Sequence, residues 1–402
     1  MLNEWRANIW LVVELIIVVL VLQFVFGMLY SLYDVHRKAV DVDLDDIYVA
    51  SLNTKGEGSD GYVPYDSVHS RATDLDMLLV KLRSNPYVEL VGTGSYNALP
   101  YHYNFWGDQI LEVGDTTGRG YQLNRRNVSP EIMQIFEIHG SNGETPEQLA
   151  DFIRKGQIVI SGTEYSWDPE SREAADFLGR DVVWSNDTLS VYHVAAIGDG
   201  MRRTDYEPTH AGTGYMPVTP DVASVVAIRV KPGMGHKFTE TLGSEDRQAG
   251  NLYMTSLKTL ESMRDSCQMS ISQSVRSVTV CALFVLTMVF LGFLGTFWFR
   301  TQQRVPEVAI RKINGATNGD IYRRFFAEGM LLLAVATVVS LPVTVWIVTG
   351  LSDVTGMSFY GDSVGVAAVM TVVIIAMMII AGIYAPARKA AAISPAEALK
   401  DM

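Results

Sequence analysis

The chemically capable side chains of this chain are arranged to hold partners rather than to make or break bonds. Its seven histidines, His36, His69, His102, His139, His193, His210 and His236, are scattered and lack the close spacing of a metal-ligand set. No G-x-x-x-x-G-K-[ST] or H-E-x-x-H occurs, so there is no phosphate-cradling loop or zinc-protease helix. If the region holding Cys267 and Cys281 is one helix, the two thiols are too far apart to bridge. The run Tyr101-His102-Tyr103-Asn104-Phe105-Trp106 reads as a half-buried strand, with an aromatic ligand platform as the alternative. The densest functional group is a patch of charge. Arg300, Arg304, Arg311, Lys312, Arg323 and Arg324 face only Glu307 and Asp320 within RTQQRVPEVAIRKINGATNGDIYRRFF, residues 300–326. The chemistry open to such a patch is electrostatic docking.

The patch has a local grammar. Pro306 suits the first helical position, where no N–H is needed. Glu307 then lies near the positive helix end and four residues before Arg311, the favourable order for an ion pair. Val305, Ala309 and Ile313 fall on one stripe, with Val308 beside it, and Asn314-Gly315 ends the helix. Thr317 reads as the N-cap of a second helix with Asp320 at its third position. A short amphipathic helix, a turn and a helix suit a part that docks into a soluble partner and passes on movement. An interfacial helix that anchors the loop in headgroups is the alternative.

Four apolar runs position this loop. Residues 9–33, 278–299, 327–352 and 363–387 are each long enough to span a hydrocarbon core of ~30 Å. The first is too long for a signal peptide and lacks a small-residue cleavage site. It carries Glu14 and Gln23, and Glu14, near one end, is expected to snorkel. Pro342 predicts a kink in the third run. The cations of 300–326, with Arg388 and Lys389 after the fourth run, place both at the cytoplasmic face. Residues 1–8 and the tail 388–402, with a capping-box pattern at Ser394-Pro395-Ala396-Glu397, then lie inside, and the short loop 353–362 lies outside.

Between the first and second runs lies an acidic block. Asp34 to Val275 holds 21 Lys+Arg against 35 Asp+Glu, leaving 11 against 9 elsewhere. Nucleic acid is excluded as a partner, since it wants a basic face. Residues 34–254 read as an extracytoplasmic α+β domain. Strands are expected at 47–51, 87–91, 157–161, 189–197 and 223–230, and helices at 73–83 and 173–178. From Lys237 the chain is expected to turn helical and continue through a stalk at 255–277. There Leu257, Leu260, Met263, Cys267, Ile271 and Ser274 form one stripe. The stalk would carry motion between domain and membrane, and an ordinary core helix of the domain is the alternative. The fold class is thus a membrane protein with four transmembrane helices and a large α+β domain inserted between the first and second.

The stretch PEVAIRKINGATNGDIYRRFFAEGM resembles the cytoplasmic segment of FtsX-like, MacB-type ABC transporter permeases, and the tail PARKAAAISPAEALK resembles the end of the same domain. NVSPEIMQIFEIHG, QIVIS, DFLGRDVVW, LSVYHVAAIGDG and GTGYMPV resemble parts of the MacB-like periplasmic core domain. The resemblance implies a bacterial inner-membrane permease that works as a homo- or heterodimer with a cytoplasmic ABC ATPase. It implies a coupling helix formed by Pro306, Glu307, Val308, Ala309, Ile310, Arg311, Lys312, Ile313, Asn314, Gly315 and Ala316, which docks on that ATPase. It also implies mechanotransmission to the outer domain for export or extraction of an antibiotic, peptide, lipoprotein or other amphiphile. A periplasmic adaptor or outer-membrane partner is a further expectation. The alternative is an FtsX-like relay that activates a cell-envelope enzyme without transport. No cofactor is expected on this chain, and ATP and Mg are expected in the partner. Only residues 1–8 precede the first run, so the ATPase is expected on a separate chain.

Overall fold

The computed structural model describes residues 5–37, 44–102, 107–115, 118–163, 172–206, 212–303, 305–355 and 361–392. The chain divides into a membrane unit, Met1–Asp34 with Ser272–Met402, and an outer unit, Val35–Ile271.

In the outer unit, α1 (Trp5–Arg37) delivers its last turn, followed by β1 (Ile47–Thr54), α2 (Arg71–Ser84), β2 (Val88–Gly94), β3 (Gly107–Glu112) and β4 (Tyr121–Val128). Next come α3 (Glu131–Ile135), α4 (Pro146–Arg154), β5 (Ile158–Ser161), β6 (Asp181–Trp184), β7 (Asp187–Gly198), β8 (Gly212–Pro217) and β9 (Val225–Val230). The unit closes with α5 (Gly235–Thr241), β10 (Gln248–Ala249), β11 (Leu252–Thr259) and the start of α6 (Leu260–Gln303). Local signals set several of these ends. Ser70 and Thr73 cap α2 reciprocally, and Pro86 holds Asn85 in extended backbone so that the helix stops there. Thr145 and Gln148 cap α4, whose Leu149, Ala150 and Ile153 are buried. All four residues of β5, Ile-Val-Ile-Ser, are buried between β7 and β8, as suits an unbroken apolar strand.

The strands join in the order β10-β11-β1-β9-β2-β4-β3-β6-β7-β5-β8, and β8 returns to pair in parallel with β4. The second half of the sheet therefore closes into a six-stranded ring. Ile110, Leu123, Ile160, Phe177, Trp184 and Val194 belong to one core cluster there. The open half has a second core with α2 and α5 and a third with α3, α4 and the first turns of α6.

Two expectations need correction here. Residues from Lys237 onward do not form one helix into the stalk: α5 ends at Thr241, and Leu252–Thr259 is a strand paired with β1. Gly250, at φ +54, turns the chain beneath the Asp74 carboxylate, and the stretch LYMTSLKT then alternates toward and away from the core as a strand does. The helix starts at Leu260 rather than 255, and Leu257 reaches its core from the sheet. In the aromatic run, Tyr101 is not in a strand. It sits in a turn at φ +59 with its ring buried, while Tyr103, Phe105 and Trp106 lie outside the described residues.

The membrane unit contains α1, the remainder of α6, α7 (Val305–Ile313), α8 (Asn318–Thr355) and α9 (Gly361–Ala392). Among the described residues, four segments are long and apolar enough to cross a membrane: Val12–Arg37, Leu260–Gly292, Asn318–Val348 and Ser363–Tyr384. Leu333, Ala336, Ser340 and Thr344 of α8 are buried, as are Ser363, Ala367, Thr371 and Ile375 of α9. Small residues at these repeats let helix backbones approach closely where water gives no driving force. Gln23 is buried in α1 and accepts a hydrogen bond of 2.6 Å from Thr344 of α8. The membrane part of α6 is the least covered, with Val280, Leu283, Phe284 and Met288 more than half exposed. The capping-box pattern at 394–397 lies outside the described residues.

Candidate functional site

The basic loop forms an elbow between α7 and α8. Helix α7 carries the expected pair, Arg311 Nη2 to Glu307 Oε1 at 3.1 Å. It ends in a Schellman turn: Gly315 at φ +91 donates to Lys312 O at 3.0 Å, and Ala316 donates to Arg311 O at 3.0 Å. Thr317 and Asp320 then cap α8 reciprocally, Thr317 N–H to Asp320 Oδ2 at 2.9 Å and Asp320 N–H to Thr317 Oγ1 at 3.3 Å.

The structure adds a joint that the sequence pattern did not reveal. Glu307 Oε1 also accepts from Arg324 Nη2 on α8 at 3.0 Å, and Arg324 in turn faces Glu328. Beneath these charges Val308 and Ile321 are buried, and with Phe325 and Ala316 they line a cleft of about 60 Å³. The signal was present as Ile321, Arg324 and Phe325 at three- and four-residue spacing, but nothing in it showed which face α7 would meet. Val308, beside the expected stripe, is buried and lines this cleft together with Ile321 and Phe325 of α8. Ile310 and Ile313 remain exposed at 49% and 57%, so the open face of α7 runs through them. Lys312 is partly buried, and Asn314 and Gly315 are exposed. Pro306 and Ala309 lie on the described backbone of α7. Among the described residues, no cluster of three or more His, Cys, Asp or Glu side chains is placed to hold a metal.

Residues 279–395, which include the elbow, match the family model for the FtsX-like permease C-terminal domain. Over residues 279–395 the membrane part of this chain is similar to the C-terminal domain of FtsX-like permeases. Among curated proteins none matches the sequence. Among solved structures, the periplasmic region of MacB from Actinobacillus actinomycetemcomitans aligns with 58% of this chain and 98% of its own, at 8% identity and a TM-score of 0.32. The extracellular domain of the noncanonic ABC-type transporter YknZ from Gram-positive bacteria aligns with 52% of this chain and 100% of its own, at 8% identity and a TM-score of 0.31. Similarity this remote carries no functional weight, and the family rests on residues 279–395. With four helices among the described residues long and apolar enough to cross a membrane, the chain is suited to a multi-pass membrane protein.

Proposed function

We propose that this chain is a permease that docks a separate ABC ATPase through the open face of α7 and converts ATP-driven closure of that partner into movement of its outer domain. ATP and Mg are bound by the partner. The permease works as a dimer with an identical or related chain, in contact with lipid. The work done is export or extraction of an antibiotic, peptide, lipoprotein or other amphiphile, with a periplasmic adaptor or outer-membrane protein receiving the cargo. The observation that carries the reading is the build of the elbow. A short helix fixed to α8 by Glu307–Arg324 and Val308 while offering Ile310 and Ile313 outward is a docking part rather than a passive connector. An interfacial anchor would need no ion pair to the next helix.

The test is purification of the tagged permease in mild detergent, with photocrosslinkers at Ile310 and Ile313, followed by mass spectrometry and an ATPase assay. Capture of a P-loop ATPase at both positions is the expected result. Ala309→Asp should abolish stimulation of that ATPase while membrane insertion is intact. Absence of any ATPase from the crosslinks in several detergents sinks the docking role.

A further inference from the structure

The outer unit contains a second joint. Segment Met201–Tyr206, which follows β7, touches both chain segments through which the outer unit continues into apolar helices. Toward α1, Arg202 Nη1 donates to Val35 O at 3.1 Å, and Tyr206 stacks on His36 with ring centroids 4.7 Å apart and planes 10° from parallel. Toward α6, Asp205 accepts from Arg264 Nε at 2.7 Å and Nη2 at 2.6 Å, both on Oδ2. Its other oxygen accepts from Tyr101 O–H at 2.8 Å. Asp205 is 1% exposed, so three donors compensate one buried charge.

The same segment is pinned to the sheet. Arg126, on β4, is buried without a carboxylate partner among the described residues, and burial pushes its pKa down to about 10. Its Nη1 donates to Asn97 O and Ala98 O at 3.2 and 3.1 Å, and its Nη2 to Met201 O at 2.9 Å. Met201 N–H donates to Thr213 Oγ1 on β8 at 3.1 Å, and Tyr101 N–H donates to Arg203 O at 2.8 Å. Tyr101 holds a left-handed conformation (φ +59) rare for a bulky residue, and strain of this kind persists only where surroundings over-determine it. Leu260, Met263 and Cys267 of α6 complete the attachment by packing into the core with Tyr101 and Met201.

We propose that segment 201–206 is the junction that fixes the outer ends of α1 and α6 to the sheet as one rigid body, with Asp205 and Arg264 as its positioning residues. This rests on the reading that movement reaches the outer domain through these helices. The expected consequence is that α6 does not slide or turn against the sheet during the ATP cycle. Any motion delivered to its membrane part arrives in the domain undiminished.

The test uses the full chain in lipid nanodiscs with its ATPase, diluted with unlabelled chain. Spin labels are placed at Met269→Cys on α6 and Leu189→Cys on β7, both strongly exposed, with Cys281→Ser and the buried Cys267 left in place. The unaltered junction should give a narrow distance distribution that ATP does not change. Asp205→Ala should broaden it by about twofold, as a local opening does, and the swap D205R/R264D should restore the width. A broad or ATP-sensitive distribution with the junction intact, or an unaltered width in Asp205→Ala, overturns the proposal. Where protease resistance shows that Asp205→Ala fails to fold, Arg264→Gln, at a partly exposed side chain, decides by the same width. Co-purified ATPase is measured on every sample. Its absence from the unmutated chain sinks the docking reading and leaves the width result standing.

Discussion

Glu307, Arg311 and Arg324 at the α7–α8 elbow keep 43–46% of their side-chain surface in contact with solvent. Asp205 at the outer junction keeps 1%. The two joints do related work with different materials. Charges that water still reaches interact weakly and rearrange at small cost, because the solvent replaces whatever partner leaves. A buried carboxylate has no such substitute, so its partners are held in place. The elbow is thus suited to a surface that must engage and release a partner, and the junction to a fastening that must not slip.

If that contrast is right, the largest effect falls at the junction. Asp205→Ala leaves the Tyr101 hydroxyl without its acceptor and Arg264 without its counter-charge, and should destabilise the outer domain by about 3 kcal/mol, read as a lowered urea midpoint of the full chain. Arg126→Met keeps the volume but strips the carbonyls of Asn97, Ala98 and Met201 of their donor, and should cost about 2–3 kcal/mol by the same measurement. At the elbow the largest effect is conformational. Gly315 stands at φ +91 with open space where a Cβ would go, so Gly315→Ala should cost about 1–2 kcal/mol from backbone strain alone. That would appear as weaker ATPase capture, with Gly315→Asn closer to the wild type. Glu307→Gln should change stability by less than about 1 kcal/mol, and the difference should shrink further at high salt. A loss at Glu307 as large as that at Asp205 would erase the distinction between the two joints.

The same contrast explains what could be read from the sequence. The devices that shape each helix of the elbow link near neighbours: Glu307 with Arg311, Lys312 with Gly315, Thr317 with Asp320. Propensity, capping and charge order act over such distances, so the helix, its end and the next start were legible. The face of α7 was not, because Arg324 and Ile321 decide it from another helix. Five of the eleven described strands, β1, β2, β5, β7 and β9, were likewise visible as apolar runs. The strand Leu252–Thr259 reads as part of a helix in the sequence because Leu257 falls in register with the Leu260–Met263–Cys267 stripe, and only pairing with β1 fixes it as a strand. The junction was invisible for a stronger reason: Arg264, Tyr101 and Val35 reach segment 201–206 from 59 to 167 residues away. Asp205 in the sequence is one acid among many.

A third contact tests whether burial alone makes a joint firm. The loop after β1 is strapped to the outer domain by Asn251, whose side chain exchanges two hydrogen bonds with the backbone of Val63. It is also held by His69 Nε2, 2.8 Å from Oδ1 of the fully buried Asp74. Asn251 N–H holds the other Asp74 oxygen at 2.9 Å. The hydrogen bond to Asp74 raises the His69 pKa, partial burial opposes this, and the carbonyl of Pro64 and the charges of Asp74 and Asp66 add to the rise. Tyr65 packs at a tilt against the ring, and Arg71 lies near that tyrosine. The folded pKa is thus above the unfolded value of about 6.5. The stabilisation is complete below that value and is lost as pH rises through the folded pKa. Protease nicking of residues 55–70 should therefore increase as the pH is raised from 6 upward, and His69→Gln should flatten that dependence. ATPase capture through the elbow, which contains no histidine, should not follow the same curve. Nicking that stays flat in the unmutated chain would mean that Asn251 and the buried Asp74 hold the strap without the charge on His69. Burial would then count for more than charge at this contact as well.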